Sequence, residues 1–157
     1  MSDIGDIATR IYDYEFDDAP TQLEREFRIE SISGWLESNI GQLNNLTYQN
    51  FDKSSDFLQE EESILSALYL KNYYSKQSRT VLHVGVTGSP SWTRLTEGDT
   101  TIVRSSTSDT VRQYKDLSNE KTQEIESLVY AYNSYRAMPN QVAGIDGGYV
   151  TGSGSYG

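Results

Sequence analysis

Ile29, Ile32, Trp35, Leu36, Ile40, Leu43 and Leu46 recur at steps of three and four residues, with Glu30, Ser33, Glu37, Ser38, Asn44 and Asn45 between them. That spacing places the apolar side chains on one face of an α-helix beginning near Arg28, and such a stripe must be covered by other elements. Gly34 and Gly41 lie seven residues apart within it. Each costs roughly 1 kcal/mol of helix propensity relative to alanine. Two readings stand for them: a close helix approach, or simple tolerance because packing is strong.

Two more helical stretches follow. After NFDKSSDF, where Ser54, Ser55 and Asp56 offer capping side chains, the spacing predicts a helix from about Leu58 to Val84. Glu60, Glu61 and Glu62 sit at its start as a solvated capping face, and Lys71, Lys76 and Arg79 lie toward its far end, matching the helix dipole. Ile64, Leu65, Leu68 and Tyr69 supply its inner face, with Tyr73 and Tyr74 beside them. The tyrosines interleaved with bases in LYLKNYYSKQSR also fit nucleic-acid stacking, but in an acidic chain a protein interface or the core edge fits them better.

A third helix is expected from about Ser106 to Met138, stopped by Pro139. Its apolar positions are Val111, Tyr114, Leu117, Ile125, Leu128, Val129, Tyr132, Tyr135 and Met138, with a polar gap SNEKTQE in which Ser118 and Lys121 mark a possible break. Unbroken, it would span roughly 50 Å, more than a compact domain of this size needs, and would project or line an assembly.

Between the second and third helices the texture changes. Residues 85–104 hold glycines, Pro90, a Glu97-Gly98-Asp99 turn and the β-branched run Thr100 to Val103, which favours an extended loop or a short hairpin. Trp92 and Leu95 are expected to fold its stem onto the helices. Loops of this length in small domains are commonly functional. The segment 139–157 has six glycines, one charge at Asp146 and few apolar groups, so it cannot build a core and reads as an extended interaction arm. The expected fold is mainly α: a small helical bundle over 28–138 with an extended loop or short hairpin, an acidic segment 1–27 before it, and the arm after it.

At 157 residues the chain is long enough for one domain with a core. Residues 1–30 hold nine acids against three arginines, within a formal net charge of −10. That balance opposes ordinary phosphate-backbone binding and reads first as solubility, though it does not exclude lining a channel that DNA passes without sticking. Cysteine is absent, which removes disulfides and thiolate chemistry. No apolar run approaches the ~20 residues that cross a bilayer, and the acidic MSDIGDIATR does not resemble a secretory signal, so the expectation is a soluble protein made in the cytoplasm. His83 is the single histidine, and no nucleophile elbow, phosphate loop, zinc motif or calcium loop occurs. Glu97 and Asp99 supply too few oxygens for calcium. No catalytic, cofactor or metal site is expected, and an enzyme ranks last.

The order RIESISGWLESNIGQLNNL, EEESILSALYLKNYYSKQSRTVL, WTRLTEGDTTIV and ESLVYAYNSYRAMPNQ, covering about residues 28–141, resembles the head-to-tail connector or neck adaptor proteins of tailed bacteriophages. The resemblance implies a virion structural subunit at the head–tail junction, assembling as a homo-oligomer, usually a twelve-fold ring. Such a ring sits below the portal protein, joins it to a downstream neck or tail protein, and surrounds DNA without sequence-specific binding. It further implies that the arm from Gln141 to Gly157 docks on the portal, with Val142, Ile145, Tyr149, Val150 and Tyr156 as anchors. The loop from Trp92 to Val103, with Leu95, Glu97, Asp99 and Ile102, would meet neighbouring subunits. Two other classes stand beside this one: a different phage tail or fibre-type structural protein, fitting the twelve tyrosines and the glycine-rich end, and an acidic regulatory or DNA-mimic module, fitting the charge.

Overall fold

Asp3 starts the first helix by a reciprocal cap: its side chain accepts from the Asp6 amide at 2.8 Å, and the Asp6 carboxylate accepts from the Asp3 amide at 3.4 Å. In the computed structural model, which describes residues 1–87, 94–97, 100–103 and 107–138, helix α1 (Ile4–Glu15) then buries Ile4, Ile7, Ala8, Ile11 and Tyr12. These positions again step by three and four. Each fully buried isoleucine contributes about 1.5–3 kcal/mol. Residues 1–27 are therefore not an acidic appendage to a bundle that begins at 28; α1 is part of the core. Its apolar positions are only every third or fourth residue among aspartates, so composition masks them.

α1 ends where the Phe16 and Asp17 amides both donate to the Tyr12 carbonyl, with Asp17 in the left-handed region at φ 38°. Aspartate is among the residues that tolerate this conformation best. Thr21 caps helix α2 (Gln22–Thr47), so the helix begins six residues before Arg28. The early start follows the cap, whereas the buried apolar stripe begins only at Ile32 and continues through Leu36, Ile40 and Leu43; before it, α2 meets α1 through Arg25, which bonds Asp13 and lies over the Tyr12 ring. Among the described residues, a methyl group added at Gly34 or Gly41 would meet nothing within 4 Å, so neither glycine admits a close approach of another described helix. Tyr48, at φ 55°, terminates α2.

The connection to the next helix is held by side chains. Asn44 donates to the Phe51 carbonyl and accepts from its amide, at 2.9 and 2.8 Å. Asp52 accepts from the Ser54 hydroxyl, the Ser54 amide and the Ser55 hydroxyl, which holds its carboxyl below the ordinary range, the Ser54 hydroxyl contributing most. Ser54 and Ser55 thus build a turn and do not cap the helix as expected. Phe57 is fully buried and exchanges backbone hydrogen bonds with Ser2, tying the chain's first residues to this loop.

Helices α3 (Gln59–Thr87) and α4 (Thr107–Ala137) form the long antiparallel pair. α3 runs past Arg79 to Thr87 and has no base in its last turn, so Lys71, Lys76 and Arg79 do not complement its C-terminal dipole. α4 is unbroken through the polar gap. There Ser118 faces α3: its hydroxyl lies 2.8 Å from that of Ser75 and donates to the Lys71 carbonyl, so the gap is a polar helix contact. Strands β1 (Arg94–Glu97) and β2 (Thr100–Val103) pair antiparallel in the connection, with Leu95 opposite Ile102 and Glu97 opposite Thr100.

The core joins α1, the second half of α2, and the inner parts of α3 and α4, with Leu36, Leu43, Ile64 and Leu65 fully buried. A run of rings leads out of it: Trp35 to Tyr69 at 5.4 Å, Phe16 to Tyr73 at 4.9 Å, Tyr73 to Tyr74 at 5.7 Å and Tyr74 to Tyr114 at 6.5 Å. The tyrosines of LYLKNYYSKQSR are engaged in packing within the chain. Burial raises the hydroxyl pKa of Tyr69, Tyr73 and Tyr74. Among the described residues the main cluster reaches no farther than Tyr69 in α3 and begins at Ile125 in α4, so each helix runs about 18 residues, roughly 27 Å, past it, and Leu70, Ser78, Val111 and Ser118 are buried along that stretch.

Candidate functional site

The end of α2 and the last third of α4 enclose an apolar groove. Leu46, Ile125, Val129, Tyr130, Asn133 and Ala137 line it, around a volume of about 530 Å³. Its placement follows from one polar tie: the Asn133 side chain donates to the Leu46 carbonyl at 2.9 Å and fixes α4 against the last turn of α2. That carbonyl belongs to a helix C-terminus, where no downstream amide would otherwise reach it. Tyr130 stands 77% exposed at the groove, and Met138, 63% exposed, marks where the described chain leaves it. Exposed large apolar groups gathered at one place indicate a contact surface more than scattered ones do.

Beneath the same end lies a buried carboxylate. Glu61 is 1% exposed, which overturns the reading of Glu60, Glu61 and Glu62 as one solvated face. One Glu61 oxygen accepts from the Tyr132 hydroxyl at 2.6 Å and from the Arg136 guanidinium at 3.3 Å; the other accepts from the Leu58 amide at 2.8 Å. Arg136 also lies 4.8 Å above the Tyr132 ring. Burial, and then the hydrogen bond to Glu61, push the Tyr132 hydroxyl well above the usual tyrosine range. The contacts from Tyr132 and Arg136 hold α4 on the first turn of α3, and the Leu58 amide caps that turn. Glu60 is exposed, and Glu62 pairs with Arg10 of α1 at 2.5 Å. The three glutamates diverge around the helix into three environments.

A second, polar cleft of about 720 Å³ lies over α3 between α1 and α4, with Ser63, Ser66 and Ala67 on its floor and Arg10, Glu62, Lys121 and Glu124 on its walls. Its charges are largely spent on one another, Arg10 with Glu62 and Lys121 with Glu124 at 2.7 Å. Burial alone would lower the Lys121 pKa, but the hydrogen bond and charge of Glu124 outweigh it and raise it. Among the described residues no group of three His, Asp or Glu is placed to hold a metal ion, and no helix is long and apolar enough to cross a membrane.

At the other end of α2, Leu23 and Phe27 are 77% and 72% exposed, one turn apart on the same face. They are held there by Arg25 bonding Asp13 at 2.8 Å and Arg28 bonding Asp18 at 2.5 Å.

No protein-family model, curated protein or solved structure matches the chain.

Of the residues expected to make contacts, Leu95, Glu97 and Ile102 lie on the paired strands between α3 and α4. Trp92, Asp99, Val142, Ile145, Tyr149, Val150 and Tyr156 lie outside the described residues. The groove went unrecognised in the sequence. Leu46, Ile125 and Val129 carry ordinary helical spacing, and only the meeting of α2's last turn with α4 separates groove-lining positions from core positions.

Proposed function

We propose that the protein is a virion assembly subunit, a head-to-tail connector that forms a ring below the portal and joins it to the neck or tail around the DNA path. One observation carries the reading: the α3–α4 pair runs about 18 residues per helix past the main core cluster and carries two paired strands in its connection. A helix pair of that length runs past the main cluster of a single subunit while burying Leu70 and Val111 itself. It supplies long, repeated contact surface to a neighbour, which is what a closed ring of heterologous contacts requires. The exposed Leu23 and Phe27, and the groove at the opposite end of α2, add apolar surfaces that a monomer leaves wet.

The internal ion pairs weigh against DNA mimicry. Arg25, Arg28 and Arg10 are each committed to a carboxylate, so the acidic N-terminal region presents interleaved signs and not a phosphate-like row. Negative-stain imaging of purified full-length protein, alone and mixed with portal-bearing heads, tests the connector. Closed rings with a central opening, bound at the portal, are expected. A monomer that stays single at every concentration and leaves the heads undecorated would sink the proposal.

A further inference from the structure

We infer that neighbouring copies of this chain meet through two faces of opposite charge: the outer face of α2 around Leu23 and Phe27 on one copy, and the basic outer face of α3 around Arg79 on the next. The inference rests on the self-assembling subunit proposed above and names the surfaces of its contact. Charge is divided unevenly along the fold. Residues 1–30 hold nine acids against Arg10, Arg25 and Arg28, and each of those arginines is already paired, with Glu62, Asp13 and Asp18. Residues 70–87 of α3 hold Lys71, Lys76 and Arg79 and no acid. In that stretch Ser75 meets Ser118 of α4 and Ser78 is buried, while Lys76 and Arg79 are exposed. Among the described residues neither base forms an ion pair, and neither do Glu26 and Glu30 of α2.

Each face carries apolar groups beside its charges. On α2, Leu23 and Phe27 form one row four residues apart and Glu26 and Glu30 form the row beside it, all four exposed. On α3, Lys76, Arg79 and Leu82 follow one another at steps of three, and Leu82 is exposed as well. The dimensions agree: Lys76 to Leu82 covers roughly 9 Å along α3, and Leu23 to Glu30 roughly 10 Å along α2. One register therefore sets Leu82 on Leu23 and Phe27 while Arg79 and Lys76 meet Glu26 and Glu30. Apolar groups inside a charged rim are the make-up of a specific protein contact, in which the charges select partner and register. A DNA backbone would satisfy the two bases but leave Leu82, Leu23 and Phe27 wet. Because the two faces differ, the contact is heterologous and repeats from copy to copy.

A charge swap in the full chain tests the pairing. Lys76→Glu with Arg79→Glu reverses the α3 face, and Glu26→Lys with Glu30→Lys reverses the α2 face. Either reversed chain alone sets like charges against each other, and its self-association in sedimentation velocity is expected to weaken at least about 100-fold. Mixed one to one, the two reversed chains should associate as the parent does, since every contact then joins either two reversed faces or two native ones. The chain carrying all four substitutions should do the same by itself. Circular dichroism checks that each variant folds; where a double reversal loses helix, Arg79→Glu and Glu26→Lys take its place singly. Association unchanged in both reversed chains, or lost and not regained on mixing, overturns the inference. So does loss of binding to a short DNA duplex, with association intact, in the chain carrying Lys76→Glu and Arg79→Glu, which would assign that face to nucleic acid. Rings that persist in both reversed chains would overturn this inference alone, and swap-restored association without rings at the portal would overturn the connector alone.

Discussion

Glu61 shows how much one side chain decides here. A carboxylate 1% exposed is costly unless its lone pairs are occupied, and Tyr132, Leu58 and Arg136 occupy them. Glu61→Ala strands the Tyr132 hydroxyl and the Leu58 amide; a loss of about 2–4 kcal/mol is expected in urea unfolding, with little change in the slope of the transition. Tyr132→Phe should cost about 1–3 kcal/mol at neutral pH by leaving the carboxylate short of a donor. Its pH signature separates it from a packing defect. The folded pKa of Tyr132 is raised, so the stability it contributes is fully present below its unfolded value near 10 and is lost as pH rises from there toward the folded value. Above pH 10 the variant should therefore lose stability less steeply than the parent. Parallel curves in alkaline denaturation would disprove the assignment.

At the scale of elements, α1 is the surprise and α2 the clearest success. The stripe Ile32, Leu36, Ile40 and Leu43 is visible in the sequence because its apolar residues are large and its polar ones regular. α1 carries Ile4, Ile7 and Ile11 among aspartates, and the local charge conceals its spacing. Ile7 is fully buried. Ile7→Ala should cost about 2–5 kcal/mol by thermal or urea unfolding, where a detachable N-terminal segment would lose almost nothing. The glycines of α2 point the other way. With open space at both, Gly34→Ala and Gly41→Ala should each stabilise the isolated subunit by about 0.5–1 kcal/mol. If either variant gains stability yet fails to assemble, that glycine contacts a neighbouring subunit.

For the whole molecule, the division is between a helical body and what it reaches with. Deleting Val142 to Gly157 should leave far-ultraviolet circular dichroism nearly unchanged, since the described helices end at Ala137, while abolishing attachment to portal-bearing heads. Equal loss of helix and attachment would return the segment to the fold. The long α3–α4 pair was legible from its apolar spacing and not from its caps, since Ser54 and Ser55 build a turn before α3. Its continuity through SNEKTQE was not, because Ser118 becomes tolerable only when Ser75 and the Lys71 carbonyl face it from α3.

By itself the sequence determined that this chain is helical and where the apolar stripes of its three long helices lie, because those properties follow from local spacing and residue chemistry. Tertiary structure decided the rest. It made α1 core, turned Glu61 from a solvated cap into a buried lock, drew the tyrosines of α3 into a packed run of rings, and set Leu46 beside Val129 to open a groove. Each of those depends on which residues from distant parts of the chain share a volume, and no local pattern encodes that.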